Sequence, residues 1–325
     1  MSTQPDVVLL LTHSADHFTV DRVAEALSRQ GVRPFRLDTD RFPQKVRLST
    51  HINYGGLSHL VEDCDQSITV DEVRAVWMRK IWTPQLDENL KPQFREACAR
   101  ESLAALEGFL DGLGAARWVD SLPLIRQAGN KLYQLRVARS VGLRIPRTLV
   151  TNDPNQVRAF FRELEGAMVA KLLTVLSVSM EGSGPFVYTS QVREEDLASA
   201  EALCHSPMVF QERIPKEREL RVAFVGGTCF VGVLNSAQSE AGQVDWRLAS
   251  PEELYWERDR LPGEVVCRLQ ALMAELRLVY GAIDLILTPD GEYVFLEVNP
   301  TGEWGMLERD LNYPISDAIA NALLI

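Results

Sequence analysis

Paired cysteines are missing from this chain: its five, at 64, 98, 204, 229 and 267, are scattered and form no CxxC. That spacing excludes a structural zinc site and offers no disulfide framework, so most of them read as small buried apolar side chains. Long hydrophobic runs are missing too. Val7 to Leu11, the longest near the start, is too short to cross a bilayer or form a signal-peptide core, and no basic segment precedes it; a cytoplasmic location is expected, with no membrane partner. Positive charge is in deficit, with 34 Lys and Arg against 45 Asp and Glu and a net charge of −11. Phosphate backbones select basic surfaces, so nucleic acid is disfavoured as a partner, and an acidic ligand must meet a local basic pocket. No GxGxxG turn follows the first apolar strand, which disfavours a dinucleotide-binding half. Internal repeats, low-complexity tracts and basic amphipathic segments are absent as well.

What is present suits a large packed core: 325 residues, 46% hydrophobic and 24% charged, enough for two or three units. The pattern predicts α/β organisation. An open N-terminal unit, residues 1–118, starts with a buried strand at Val7 to Thr12 and a helix whose face carries Val20, Val23, Ala24 and Leu27 before Gly31. Strands follow at Val32 to Leu37, Val46 to His51 and Val73 to Arg79, then a long helix with Leu103, Leu106, Leu110 and Leu113 at helical spacing. A central unit, 119–205, opens a helix at Asn130-Lys131, embeds Lys171 in the strand Val169 to Leu173, and passes through a small-residue loop at 174–185 containing Gly182-Ser-Gly184 to a strand at Val187-Tyr188. The last unit, 206–325, alternates strands (Met208 to Glu212, Leu220 to Val225, Thr228 to Leu234) with one helix whose stripe is Val266, Leu269, Met273, Leu276 and Tyr280.

The most informative segment follows that helix. Gly281 to Leu287 and Glu292 to Pro300 read as the arms of a hairpin around Pro289-Asp290-Gly291. With Asp290-Gly291 as the turn pair, Asp284 falls opposite Glu297, and the period of two puts Asn299 on the same side as Glu297. Two carboxylates and an amide would then converge, and such hard oxygen donors suit magnesium. The plainer reading is an exposed hairpin with a solvated polar face. A second cluster favours the metal: Met208 to Ile214 is an apolar strand turning polar at Gln211-Glu212-Arg213 and breaking at Pro215. A chain leaving a strand in this way exposes backbone groups able to read a purine edge. Glu219, seven residues beyond Glu212, is placed to accept ribose hydroxyls, Lys131 and Lys171 to neutralise phosphates, and the 174–185 loop to donate backbone N–H groups over them. Taken singly, a strand lysine is an edge residue and a glycine loop is only a loop.

The order of these segments resembles the ATP-grasp superfamily, in which two small αβ lobes clamp ATP. The resemblance covers 120–325 and implies, position by position, that Lys131 and Lys171 contact phosphates, that Gln211, Glu212, Arg213 and Ile214 form the hinge, that Glu219 holds the ribose, and that Asp284, Glu297 and Asn299 hold Mg2+. It also places Arg221 near the transferred phosphate. Asp38-Thr-Asp-Arg-Phe-Pro43, Val76-Trp-Met-Arg79, Asp245-Trp-Arg247 and Asn299-Pro-Thr-Gly-Glu-Trp304 extend the likeness to nearly the whole chain, toward the microviridin-type graspetide synthetases. Structural readings stand beside these: Asp38 to Pro43 as a turn after a strand, Trp77 and Trp82 as packed core aromatics, Arg247 as a surface residue. The resemblance implies an α+β ATP-grasp fold behind a pre-ATP-grasp domain. It further implies a homodimer and a ribosomal precursor peptide, leader plus acidic core, whose leader helix docks on the central region. Its Asp and Glu side chains would be activated by ATP as acyl phosphates and joined to Thr or Ser hydroxyls or Lys amines, with Arg221 and Arg247 orienting the reacting groups. The rival readings are an ATP-dependent amino-acid ligase acting on a small molecule or protein tail, a kinase ending at the phosphorylated product, and a nucleotide-binding regulator without turnover.

Overall fold

The computed structural model describes residues 6–64, 66–173, 189–234 and 255–325. Its first strand, β1 (Val7–Thr12), is buried along its whole length because it lies inside a parallel sheet covered on both faces. Val8 and Leu10 join the core that holds helix Thr19–Arg29, while Val7, Leu9 and Leu11 join the one beneath helix Pro92–Gly112. β2 (Arg33–Asp38) flanks β1 on one side; beyond it come β3 (Val46–Asn53), β4 (Gly56–Asp63) and β5 (Gln66–Thr69), an antiparallel three-stranded sheet of their own. β6 (Val73–Met78) and β7 (Arg117–Val119) complete the parallel sheet in the order β2-β1-β6-β7. β4 and β5 escaped the sequence reading because this small sheet buries only a few side chains, among them Val46, His59, Val61 and Ile68, and so shows no apolar run.

An antiparallel sheet is built from β8 (Thr148–Thr151), β9 (Met168–Lys171), β10 (Ser190–Gln191) and β11 (Met208–Glu212), ordered β10-β9-β11-β8 and packed on helix Pro154–Glu163, so that Met208–Glu212 pairs with the strands before residue 205 rather than with those that follow it. β12 (Arg218–Val225), β13 (Thr228–Leu234), β14 (Trp256–Asp259), β15 (Tyr280–Leu287) and β16 (Tyr293–Asn299) form the last sheet, ordered β14-β13-β12-β15-β16. Helices Lys131–Ser140 and Gly263–Glu275 cover one of its faces. The other face shares a core with the N-terminal unit: Ala223, Val225, Phe230 and Tyr280 meet Trp304, Leu307 and Ile319 from the C-terminal helices and Val20, Val23 and Leu27 from helix Thr19–Arg29. The first and last units therefore cannot separate without exposing a common core.

Three expectations need correction. The helix stripe uses Val265, Leu269, Leu272 and Met273 rather than Val266, and Tyr280 starts β15, because the helix ends at Glu275 and Arg277 takes a left-handed φ of 58°. Cys64, Cys204 and Cys267 are exposed, and Cys98 and Cys229 half-buried, so none of the five is a fully buried core side chain. Trp77 is core at 1% exposed, but Trp82 lies partly open on the far side of β6's end. The 174–185 loop, the Val187-Tyr188 strand and Asp245-Trp-Arg247 lie outside the described residues. Among the described residues no helix is long and apolar enough to cross a membrane.

The junction after β7 is locked by Asp120, 3% exposed, whose carboxylate accepts the backbone N–H groups of Val279 (2.9 Å) and Tyr280 (3.0 Å). Burial outweighs these bonds and pushes its carboxyl up to about 6. Because the folded value lies above the unfolded one, the contribution is complete below about pH 4 and is lost as pH rises through 6. Relative to Asp120→Asn, wild-type unfolding free energy should fall by on the order of 2–3 kcal/mol between pH 4 and pH 7; parallel denaturant-derived curves for the two proteins would contradict this.

Candidate functional site

Asp284 on β15 does face Glu297 on β16, but the hairpin reaches that register in an unexpected way. The turn is not an Asp290-Gly291 pair: Leu287 faces Tyr293, the Thr288 N–H donates to Glu292 O (2.9 Å), and the Gly291 N–H donates to Thr288 O (2.9 Å). Pro289-Asp290-Gly291 is a three-residue loop with Gly291 at φ 84°, the glycine-favouring conformation such a loop needs. This shifts the pairing by one. A bulge at Leu296, between the Leu285–Phe295 and Asp284–Glu297 pairs, shifts it back. The bulge thereby turns Glu297 and Asn299 toward Asp284, and Asn299 Nδ2 donates to Glu297 Oε1 at 2.9 Å.

Two cations hold these acids. Lys131 Nζ lies 2.7 Å from Glu297 Oε2 and donates to Asn299 Oδ1 at 3.0 Å; Arg221 Nε lies 2.7 Å from Asp284 Oδ1. Burial pushes the Asp284 carboxyl up to about 6 despite Arg221, with Glu297 and Glu219 adding repulsion. Burial acts on Glu297 the same way, yet Lys131, the Asn299 amide and the charge of Lys171 outweigh it and hold the carboxyl well below the usual range. Facing carboxylates with unequal cation contacts divide in this way into a stronger and a weaker acid. Lys171, whose charge acts on Glu297, stands on β9 of the other sheet.

One residue that pattern reading missed sets this geometry. Gln134, 1% exposed and nearly one turn after Lys131, brackets the backbone of Val298: its Oε1 accepts the Val298 N–H at 3.0 Å and its Nε2 donates to Val298 O at 2.8 Å. The amide thus clamps β16 at the residue between Glu297 and Asn299. Gly302 closes the site from beyond the strand, where a Cβ would lie 2.5 Å from that of Ala282 and 2.9 Å from that of Asn299.

The predicted hinge occupies the end of β11. The Glu212 and Arg213 N–H groups donate to Arg147 O and Ala167 O, whereas among the described residues the Ile214 N–H makes no backbone hydrogen bond. Gln211 is buried and donates to Thr148 Oγ1, the Glu212 carboxylate accepts from Arg147, and Arg213 reaches Gln191. Glu219 is met at 2.7 Å by Lys216, whose side chain is only 5% exposed; nothing in the sequence singled out that lysine.

A buried arginine joins the N-terminal unit to this pocket. Arg79, 2% exposed, donates to Thr19 Oγ1 (3.2 Å), Thr301 O (2.6 Å) and the Glu303 carboxylate, and lies 3.4 Å from Asp16. Arg221 in turn donates to Glu303 O at 3.2 Å. Asp38 to Pro43 is more than a turn: Thr39 Oγ1 donates to Thr12 O and accepts the Trp82 N–H, while Asp40 accepts from Ser14 and Gln85, so the segment braces the loops after β1 and β6.

Comparison with known proteins decides the family. The family model described as the MvdD pre-ATP grasp domain matches residues 7–126. Macrocyclase MdnB from Microcystis aeruginosa MRC is 52% identical, with 99% of this chain and 100% of that one covered, at a TM-score of 0.85. The chain belongs to the microviridin-type ATP-grasp macrocyclases. Within this family, macrocyclase MdnC from the same organism, bound with precursor peptide MdnA, is 37% identical over 98% and 99% of the two chains at a TM-score of 0.88. A RiPP-associated ATP-grasp ligase of Chryseobacterium gregarium, in complex with ADP and a leader and core peptide, is 31% identical over 98% and 96% at a TM-score of 0.90. Comparison with curated proteins finds no match. The fold is thus ATP-grasp behind a pre-ATP-grasp domain, and the chain is an ATP-using ligase of that family.

Proposed function

We propose that this macrocyclase joins Asp or Glu side chains of a ribosomal precursor peptide to Thr or Ser hydroxyls, or to Lys amines, of the same peptide. The observation that carries the proposal is the pairing of Asp284 with Glu297 beside Asn299, under two cations of which Arg221 also reaches the loop after β16. Among the described residues no three His, Cys, Asp or Glu side chains gather as a metal cluster. Two facing carboxylates and an amide nevertheless fit magnesium, which takes one or two protein carboxylates and completes its octahedron with water and phosphate oxygens. Asp284, Glu297 and Asn299 would hold it, and bound there it offsets charge on the phosphate oxygens.

The remaining assignments follow from charge and position. Lys131 and Lys171 would bind the ATP phosphates; Lys131 is held in place for this by Glu297 and Asn299. The Gln211 to Ile214 segment receives the adenine, and Glu219, oriented by Lys216, receives the ribose hydroxyls. Arg221 faces the carboxylate that attacks the γ-phosphorus, and Arg247 is assigned to the same task from its sequence context. Attack forms an acyl phosphate and releases ADP; the hydroxyl or amine then attacks the acyl carbon, losing its proton, and phosphate leaves. Fixed cations already aimed at the developing charge lower both barriers. The ATP-grasp relatives in complex with MdnA, and with ADP and a leader and core peptide, support a peptide substrate. A homodimer and a cytoplasmic location complete the proposal.

Incubation with precursor peptide, ATP and magnesium should yield product lighter by one water per cross-link, with one ADP released for each, and hydroxylamine should intercept the acyl phosphate. A product heavier than the acceptor would identify an amino-acid ligase instead, and a stable phosphorylated product a kinase.

A further inference from the structure

The parallel sheet of the N-terminal unit has its own topological switch point, which the assignments above leave unused. In the order β2-β1-β6-β7 the connections diverge between β1 and β6, and open α/β sheets receive ligands at the carboxyl ends of the strands at such a point. Here the Arg79 and Lys80 N–H groups both donate to Leu11 O, at 3.0 and 3.1 Å, as the chain leaves β6. His13 leaves β1 beside them, its ring stacked on Trp82 at 3.7 Å and 4°. The brace formed by Thr39 and Asp40 fixes both loops.

Lys80 is the informative residue. Its side chain is half-buried, and among the described residues the ammonium forms no hydrogen bond or ion pair. The acids whose fields reach it are already engaged: Asp16 by Arg79, Thr12 and Thr19, and Glu303 by Arg79 and the N–H groups of Trp304 and Gly305. Burial, then the charge of Arg79, lowers the Lys80 pKa, which is the response of a cation short of counter-charge. A second group points the same way: His13, 6% exposed, has an Nδ1 atom without a hydrogen-bond partner, and burial followed by the charge of Lys80 lowers its pKa. Desolvated polar groups left unpaired are costly and mark a place where a ligand completes the bonding.

We infer that Lys80, beside the His13–Trp82 stack, receives an oxyanion, namely a carboxylate side chain of the acidic peptide segment that this enzyme modifies. The inference rests on the proposed peptide substrate. Phosphate shares the oxyanion chemistry, but the phosphate-directed lysines, Lys131 and Lys171, stand at the other pocket. Arg79 and Glu303 connect the two: Arg79 anchors Glu303, whose carbonyl holds Arg221 beside Asp284. An acid seated at Lys80 is therefore held by the N-terminal unit while the reacting acid lies under Arg221.

The test uses the whole enzyme with Mg·ADP and a leader-free core segment of MdnA, next to the same segment with its Asp and Glu changed to Asn and Gln. Wild type should bind the acidic form roughly tenfold more tightly than the amide form. Lys80→Met should cut that preference severalfold, leaving the part that Arg221 gives the reacting acid, and keep the wild-type Mg·ADP affinity and melting temperature; Lys80→Arg should restore it. A preference as large in Lys80→Met as in wild type, or absent from wild type, overturns the inference. So does loss of Mg·ADP affinity in Lys80→Met, which would assign the lysine to phosphate. Failure of the peptide-ligase reading looks different: the acidic segment is preferred, yet full-length precursor loses no water.

Discussion

Replacing Glu297 by glutamine is expected to abolish ATP-dependent cross-linking and leave the fold in place. Glutamine keeps the size of the side chain and removes the charge that faces Asp284 and pairs with Lys131. A metal clamp on phosphoryl oxygens supplies several kcal/mol of transition-state stabilisation, so the rate of product formation should fall by about a thousandfold or more. The fold survives because β16 is anchored by Val294, Phe295 and Val298, each fully buried, and by the Gln134 clamp on Val298. Mass spectrometry of the product together with a thermal melt separates the two effects. Turnover within tenfold of wild type would remove Glu297 from the metal site, and a collapsed melting temperature would show that it serves stability instead.

Arg79→Met should produce the largest loss of stability. Methionine fills most of the volume, yet Asp16 and Glu303 lose their shared cation, and Asp16 is 8% exposed, where water cannot replace it. Removing one partner from a buried ion network costs about 3–5 kcal/mol. At about 1.5 °C per kcal/mol for a chain of this size, the melting temperature should drop by roughly 4–7 °C. Product formation should fall as well, because Glu303 no longer fixes the carbonyl that holds Arg221. Arg79→Lys should recover only part of either loss, since one ammonium cannot span Thr19, Thr301, Asp16 and Glu303 together. A melting temperature within about 2 °C of wild type would show that the network adds nothing net, as some ion pairs do.

Local chemistry explains what pattern reading reached. A period of two put Glu297 and Asn299 on one side of a strand, and the helix expected to open at Asn130-Lys131 does so, with the Asn130 side chain accepting the Tyr133 N–H as its cap. The facing of Asp284 and Glu297 was also legible, but through two deviations that cancel, a longer loop at Pro289 to Gly291 and a bulge at Leu296. Neither has a sequence signal strong enough to be read alone. Trp82 was misread as core because its partner, His13, is distant in the chain and only the brace at Thr39 brings the two rings together.

The order of apolar strands, turn residues and acids along the chain determined by itself the α/β layout and the set of side chains that share the hairpin face, because these follow from periods of a few residues. Tertiary structure alone decided how that face is aimed. Gln134 grips Val298 across 164 positions and Arg79 grips Glu303 across 224. A side chain's hydrogen-bonding capacity is written in the sequence, but its partner is chosen only when packing removes water and leaves one geometry in which the buried groups are satisfied.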